Sequence, residues 1–154
     1  MKNAYRHRMA ALPNTFGMFT VSLRMKPQSL EYFNYNRYIY GHSGVWTFYE
    51  DGGPVSGLMA SCRVPEDGDR FASQVDLLTP MTWEKCAVWS GTEVGRRGGD
   101  YEVMKGRVAD ECIRLAERVM PGLRGWVSEC YTSTPLTYRD YTGAPGGTAY
   151  GLRK

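Results

Sequence analysis

In FGMFTVSLRM, residues 16–25, Phe19, Val21, Leu23 and Met25 alternate with Thr20, Ser22 and Arg24. A period of two predicts a half-buried strand. After Pro27, the stretch RYIYGHSGVWTFYED sets two aromatic and β-branched runs on either side of residues 41–44, which predicts a hairpin. Turn formers in EDGGPVSG, residues 50–57, separate it from LMASCRVP, whose weaker alternation predicts a further strand of the same sheet. VPEDGD interrupts the chain again, FASQVDLLTPM carries another apolar run, and Thr82 ahead of WEKCAVW is expected to cap a short helix.

The period then changes. Met104, Val108, Cys112, Leu115 and Val119 recur every three or four residues, while Lys105, Arg107, Asp110, Arg114 and Arg118 fall between them. This predicts an amphipathic helix, N-capped by Asp100 and ending near Met120 at Pro121 and Gly122, with its apolar face on the sheet. GWVSECYTSTPL reads as a last strand, and from Thr137 onward turn residues dominate. Strands, one long helix and a closing strand give an α+β fold: a mixed, largely antiparallel sheet with the long helix and short helices packed on it. At 154 residues the chain is expected to form a single domain, 1–154.

Composition adds mainly exclusions. With 42% hydrophobic and 23% charged residues the chain is expected to fold as an ordinary globular protein. A net charge of +3, spread without blocks, points to no polyanionic partner. Cys62, Cys86, Cys112 and Cys130 lie far apart, with only His7 and His42 to help them, so no metal site is expected. The start of the chain lacks a signal-peptide core and no run reaches membrane-spanning length, which predicts a cytoplasmic location with four free thiols. Ser56, Ser61 and Ser90 lack a nucleophile elbow, His7 and His42 read as loop residues, and Glu50, Asp51, Glu66, Asp67 and Asp69 read as solvated loop charge. No catalytic residue is assigned.

The aromatic cluster is the candidate for binding. Tyr38, Tyr40, Trp46 and Phe48, with Tyr32, Phe33, Tyr35 and Tyr49 nearby, make a face able to line a slot for an elongated apolar ligand, with phenols fixing its polar end. The same rings also suit plain cross-strand pairing. Base stacking requires cations beside the rings, and Arg37 alone is present, so no nucleic-acid partner is expected.

The stretch TSTPLTYRDYTGAPGGTAYG, residues 132–151, resembles the segment that closes the substrate domain in FAD-dependent oxidoreductases of the phytoene desaturase, carotenoid isomerase and retinol saturase group. Thr134, Pro135, Leu136, Thr137, Tyr141, Thr142, Gly143, Gly146, Gly147, Tyr150 and Gly151 carry the likeness, supported by LPNT at residues 12–15 leading into the first strand, by PMTWEKCAVWSGT, and by VMPGLRGWV. The resemblance implies redox chemistry on a carbon–carbon double bond of a lipophilic polyene. Tyr38, Tyr40, Trp46 and Phe48 would line the substrate, and Thr134, Pro135, Tyr141, Gly146, Gly147 and Tyr150 would face the FAD.

One part of the family's pattern is missing: no GxGxxG turn between a strand and a helix occurs to hold the FAD pyrophosphate. The chain therefore reads as a substrate domain excised from a longer flavoprotein, ending where the parent crosses back to its flavin domain. It is expected to bind no FAD and to be inactive alone. Its expected partners are the polyene, the missing flavin domain and a second copy through the exposed face. So lipophilic a substrate implies peripheral membrane attachment of the intact parent. The competing reading is a free-standing, non-enzymatic module that binds a small apolar ligand or a protein through the aromatic face.

Overall fold

The computed structural model describes residues 3–47, 53–66 and 68–153. Five strands, β1 (Gly17–Met25), β2 (Arg37–Tyr40), β3 (Gly57–Cys62), β4 (Gln74–Met81) and β5 (Val127–Ser133), form one sheet in the order β2-β3-β4-β1-β5. Every pairing between them is antiparallel. With helices α1 (Asn3–Ala11), α2 (Gly99–Ala116), α3 (Leu123–Trp126) and α4 (Pro135–Thr142), the fold is α+β.

The alternation in β1 decides which face becomes the core. Phe19, Val21 and Leu23 are fully buried and Met25 nearly so, and they are joined from β4 by Val75, Leu77 and Met81 and from β2 and β3 by Ile39, Leu58 and Ala60. The stripe on α2 that closes over them includes Val108, Ala109, Cys112, Ile113, Leu115 and Ala116. Burying each large aliphatic side chain here contributes about 1.5–3 kcal/mol. The helix is shorter than its period suggested. It begins after Gly98, whose φ of +85° only glycine adopts freely, so Asp100 lies inside the first turn beside Glu102, where both complement the helix dipole. It ends at Ala116, and Val119 is left 45% exposed.

Pro80 sits in a central strand, where a missing N–H is usually disruptive. The β3–β4 register ends at Met59↔Leu78, and beyond it the buried Thr79 hydroxyl donates to the Gly57 carbonyl at 2.8 Å. A side chain thus ties the strands together where proline supplies no donor.

Four expectations are corrected. Among the described residues the hairpin is not formed: 41–47 contain turns and bends, the partner of β2 is β3, reached only after residue 56, and the rest of the expected return run, 48–51, lies outside the described residues. Glycines at 41 and 44 are spaced for a turn, but the return run 45–47 takes no strand geometry. Residues 134–136, expected to end the last strand, and 137–142, expected as turn, instead make α4 with its cap: Thr134 is the N-cap, Pro135 occupies the first turn, and Gly143 closes the helix at φ +70°. The segment 83–89 forms two short 3-10 turns, and Thr82 makes no side-chain cap. His7 belongs to α1, which the sequence reading did not anticipate.

Candidate functional site

The helices α2 and α3 pack against one face of the sheet. On the other face lie the residues that alternate with the core, and register sets them in rows across the strands. One row runs Ser133, Thr20, Leu78, Met59, Tyr38 from β5 to β2. Beside it lie Met18 opposite Pro80, and Gly57 opposite Tyr40. The next row on the other side is polar: Tyr131, Ser22, Asp76 and Ser61. Among the described residues neither buried apolar cluster has a member on this face. Leu78, Met59, Met18 and Pro80 are half-buried, and Tyr38 is 63% exposed. The result is an apolar strip bounded along one side by hydroxyls and a carboxylate.

Tyr38 and Tyr40 are therefore brought together on the open face, as alternation around buried Ile39 requires. Trp46 is not brought to them in the strand. It lies in the loop after β2, 86% exposed. Phe48 lies outside the described residues. The sequence reading missed Met18, Met59, Leu78 and Pro80, although the polar half of the β1 alternation already marked which positions face outward.

The second candidate region is the edge where the chain's two terminal segments meet. Residues 13–17 and 148–153 lie antiparallel, through bridges Asn14↔Leu152 and Gly17↔Thr148. Thr15 N–H donates to the Gly151 carbonyl at 2.9 Å, Ala149 N–H to Phe16 at 3.2 Å, and Arg153 N–H to Pro13 at 2.7 Å. The hydroxyls of Thr15 and Thr148 stand 2.5 Å apart, and each also lies 3.0 Å from the Gly151 carbonyl. A notch of about 700 Å³ opens beside this pair, lined by Asn14, Phe16, Trp83, Glu84, Gly146 and Arg153 among others.

Of the residues assigned to this edge, Thr134 and Pro135 are fully buried. The Thr134 hydroxyl accepts from Leu136 N–H at 3.2 Å and lies 2.8 Å from the Tyr101 hydroxyl, while Thr134 N–H donates to the Thr137 hydroxyl at 3.2 Å. Gly147 is buried against Pro135, and Gly146 borders the notch. Tyr141 and Tyr150 are 75% and 70% exposed, Tyr150 edge-on to Phe16 with centroids 5.7 Å apart.

Between the two regions stands α4. An ion pair fixes its outer side: Arg97, almost wholly buried, reaches Asp140, and also donates to the Trp89 carbonyl at 3.3 Å and to the Thr92 carbonyl and hydroxyl at 3.2 and 3.0 Å. Its sheet-facing side carries Tyr138, whose hydroxyl lies 3.1 Å from that of Thr20 on the open face. The sequence offered no signal for this pair, which exists only because residues 135–142 are helical.

Burial keeps the cysteine thiols protonated over a wider pH range than a free thiol. Burial pushes the thiol of Cys112 up to about 12 and that of Cys86 to about 11, and it raises Cys62 and Cys130 as well. All four are unpaired. Among the described residues no group of three His, Cys, Asp or Glu side chains is arranged to hold a metal, and no helix is long and apolar enough to cross a membrane.

No protein-family model matches the chain. Over 93 residues, 59% of its length, it is 33% identical to an all-trans-retinol 13,14-reductase of Macaca fascicularis. It is 32% identical to the Homo sapiens protein of that name and 31% identical to that of Rattus norvegicus over stretches of the same length. The matched stretch spans 15% of each of these relatives. A region of this chain is thus similar to part of the all-trans-retinol 13,14-reductases.

Proposed function

We propose that this chain is the substrate-holding part of an FAD-dependent oxidoreductase of the retinol saturase type, acting on a carbon–carbon double bond of a long polyene. The observation that carries the reading is the similarity to three all-trans-retinol 13,14-reductases. The open sheet face supports it: the strip formed by Met18, Leu78, Met59, Pro80 and the rings of Tyr38 and Tyr40 is long, apolar and phenol-bordered. Its part in the reaction is to hold the polyene flat and to exclude water from the double bond.

The terminal edge suits contact with a flat ring, since Gly146 presents no side chain to the notch, Phe16 lines it and Tyr150 stands edge-on to Phe16. It does not suit a pyrophosphate. At the start of α4 the Leu136 N–H is taken by the Thr134 hydroxyl, and the first turn of α2 carries Asp100 and Glu102, which repel phosphate. The FAD is accordingly held by polypeptide outside residues 1–154, and the chain alone is inactive. Held there, the flavin would supply the redox chemistry, while the residues of this chain would bind and orient the polyene.

Titration of the purified chain with all-trans-retinol, followed by retinol fluorescence, tests the reading. Saturable binding is expected. Met59→Glu, which sets a charge in the middle of the strip, weakens it about tenfold or more, whereas Val103→Glu on the exposed side of α2 leaves it unchanged. Equal binding by both variants overturns the assignment of the open face. A flavin absorbance band co-purifying in stoichiometric amount overturns the division of labour with outside polypeptide.

A further inference from the structure

We propose that the hydroxyl pair of Thr20 and Tyr138 anchors the oxygen end of an alcohol-terminated polyene, which lies across the strands from β1 toward β2. The proposal rests on the reading of the open face as the substrate surface and assigns that surface a direction and a selectivity.

The row Ser133, Thr20, Leu78, Met59, Tyr38 changes character along its length. Its β5 and β1 positions carry hydroxyls, its middle carries two unbranched or γ-branched apolar side chains, and its far end is a phenol. Strands lie about 4.8 Å apart, so the three steps from Thr20 to Tyr38 cover about 14 Å. That is the scale of an extended conjugated chain with one polar terminus, laid across the strands.

Tyr138 makes the hydroxyl end a site. It comes from α4, outside the sheet, and meets Thr20 at 3.1 Å, both part-buried. Each hydroxyl carries one donor hydrogen, and the bond between them uses one of the two. The remaining hydrogen is free to donate to an alcohol oxygen, and the lone pairs to accept from its O–H. An alcohol drawn out of water onto an apolar strip loses its hydrogen bonds unless the surface returns them, so the pair favours an alcohol over a hydrocarbon of the same shape. Sites built to bond a substrate hydroxyl discriminate strongly against its absence. The position of Tyr138 is not adjustable. Arg97 and Asp140 lock the opposite side of α4, and the Thr134 cap fixes its first turn.

The test compares all-trans-retinol with the hydrocarbon of the same skeleton that carries a methyl group in place of the CH2OH. Both are titrated against the unmutated chain, Tyr138→Phe, Thr20→Val and the double variant, with folding checked by circular dichroism. The unmutated chain is expected to bind the alcohol at least tenfold more tightly than the hydrocarbon. The double variant brings the ratio near one by weakening the alcohol alone. If it fails to fold, each single variant is expected to lower the ratio severalfold. An unchanged ratio with retinol still bound overturns the anchor while leaving the open face as the substrate surface, and directs attention to Ser22 and Asp76. Failure of both ligands to bind the unmutated chain overturns the underlying reading and the anchor together.

Discussion

Gly143 and Gly147 share a left-handed φ, +70° and +60°, in different surroundings. A Cβ on Gly143 meets nothing within 4 Å, whereas one on Gly147 would stand 1.9 Å from the Pro135 carbonyl oxygen. Gly143→Ala is therefore expected to cost about 1 kcal/mol, the strain of a left-handed alanine. Gly147→Ala adds a backbone collision and is expected to cost about 3 kcal/mol or more in urea unfolding. Equal costs for the two would show that the Gly147–Pro135 packing is not tight. The buried thiols set a second expectation at this scale. Their folded pKa values, about 11 for Cys86 and about 12 for Cys112, lie above the ordinary 9.0, so their contribution is complete below pH 9 and is lost as pH rises through the folded values. Melting temperature should fall above pH 9, and Cys112→Ala should flatten that fall. An alkaline limb unchanged in the variant assigns the loss to other groups.

The elements differ in how openly the sequence announces them. β1 is legible because its outward and inward residues obey one period, and α2 because Val108, Cys112 and Leu115 obey another. The β2 partner was not legible. The aromatic run after Gly44 suits a strand by composition, but the sheet pairs β2 with β3 across a connection that no local rule encodes. α4 was legible in principle: Thr at the cap, Pro in the first turn and Thr three residues after the cap form a helix start, and the glycines that follow obscured it. That cap carries more than a helix end, because Thr134 also satisfies the buried Tyr101 hydroxyl. Thr134→Ala is expected to cost about 2–4 kcal/mol, the cap and the orphaned phenol together, and Thr134→Ser, which keeps the oxygen, less than half of that. A serine variant as unstable as the alanine one would assign the loss to the methyl group's packing. Removing Asp140 while Arg97 stays almost wholly buried costs about 3–5 kcal/mol, so Asp140→Ala is expected to release α4 and, on the proposed function, to weaken retinol binding along with stability.

For the molecule as a whole, the division into a buried face under α2 and an open face beyond it follows from alternation in the sequence, and so did the tyrosines of the open face. What alternation does not convey is the order of strands, which sets Thr20, Leu78, Met59 and Tyr38 in one row from positions 18 to 58 residues apart in sequence. Nor does it convey the closure of the terminal segments on each other. That closure has a mechanical consequence. Residues 13–17 and 148–153 run antiparallel with their outer ends together, so tension applied between the two outer ends loads their hydrogen bonds one after another, as in opening a zip, and not all at once in shear. Tethered at residues 12 and 153 in an optical trap, the chain should yield first in a small low-force step that frees these two segments, with the sheet giving way only at higher force; a single rupture without the early step would mean that the seam and the sheet break as one unit.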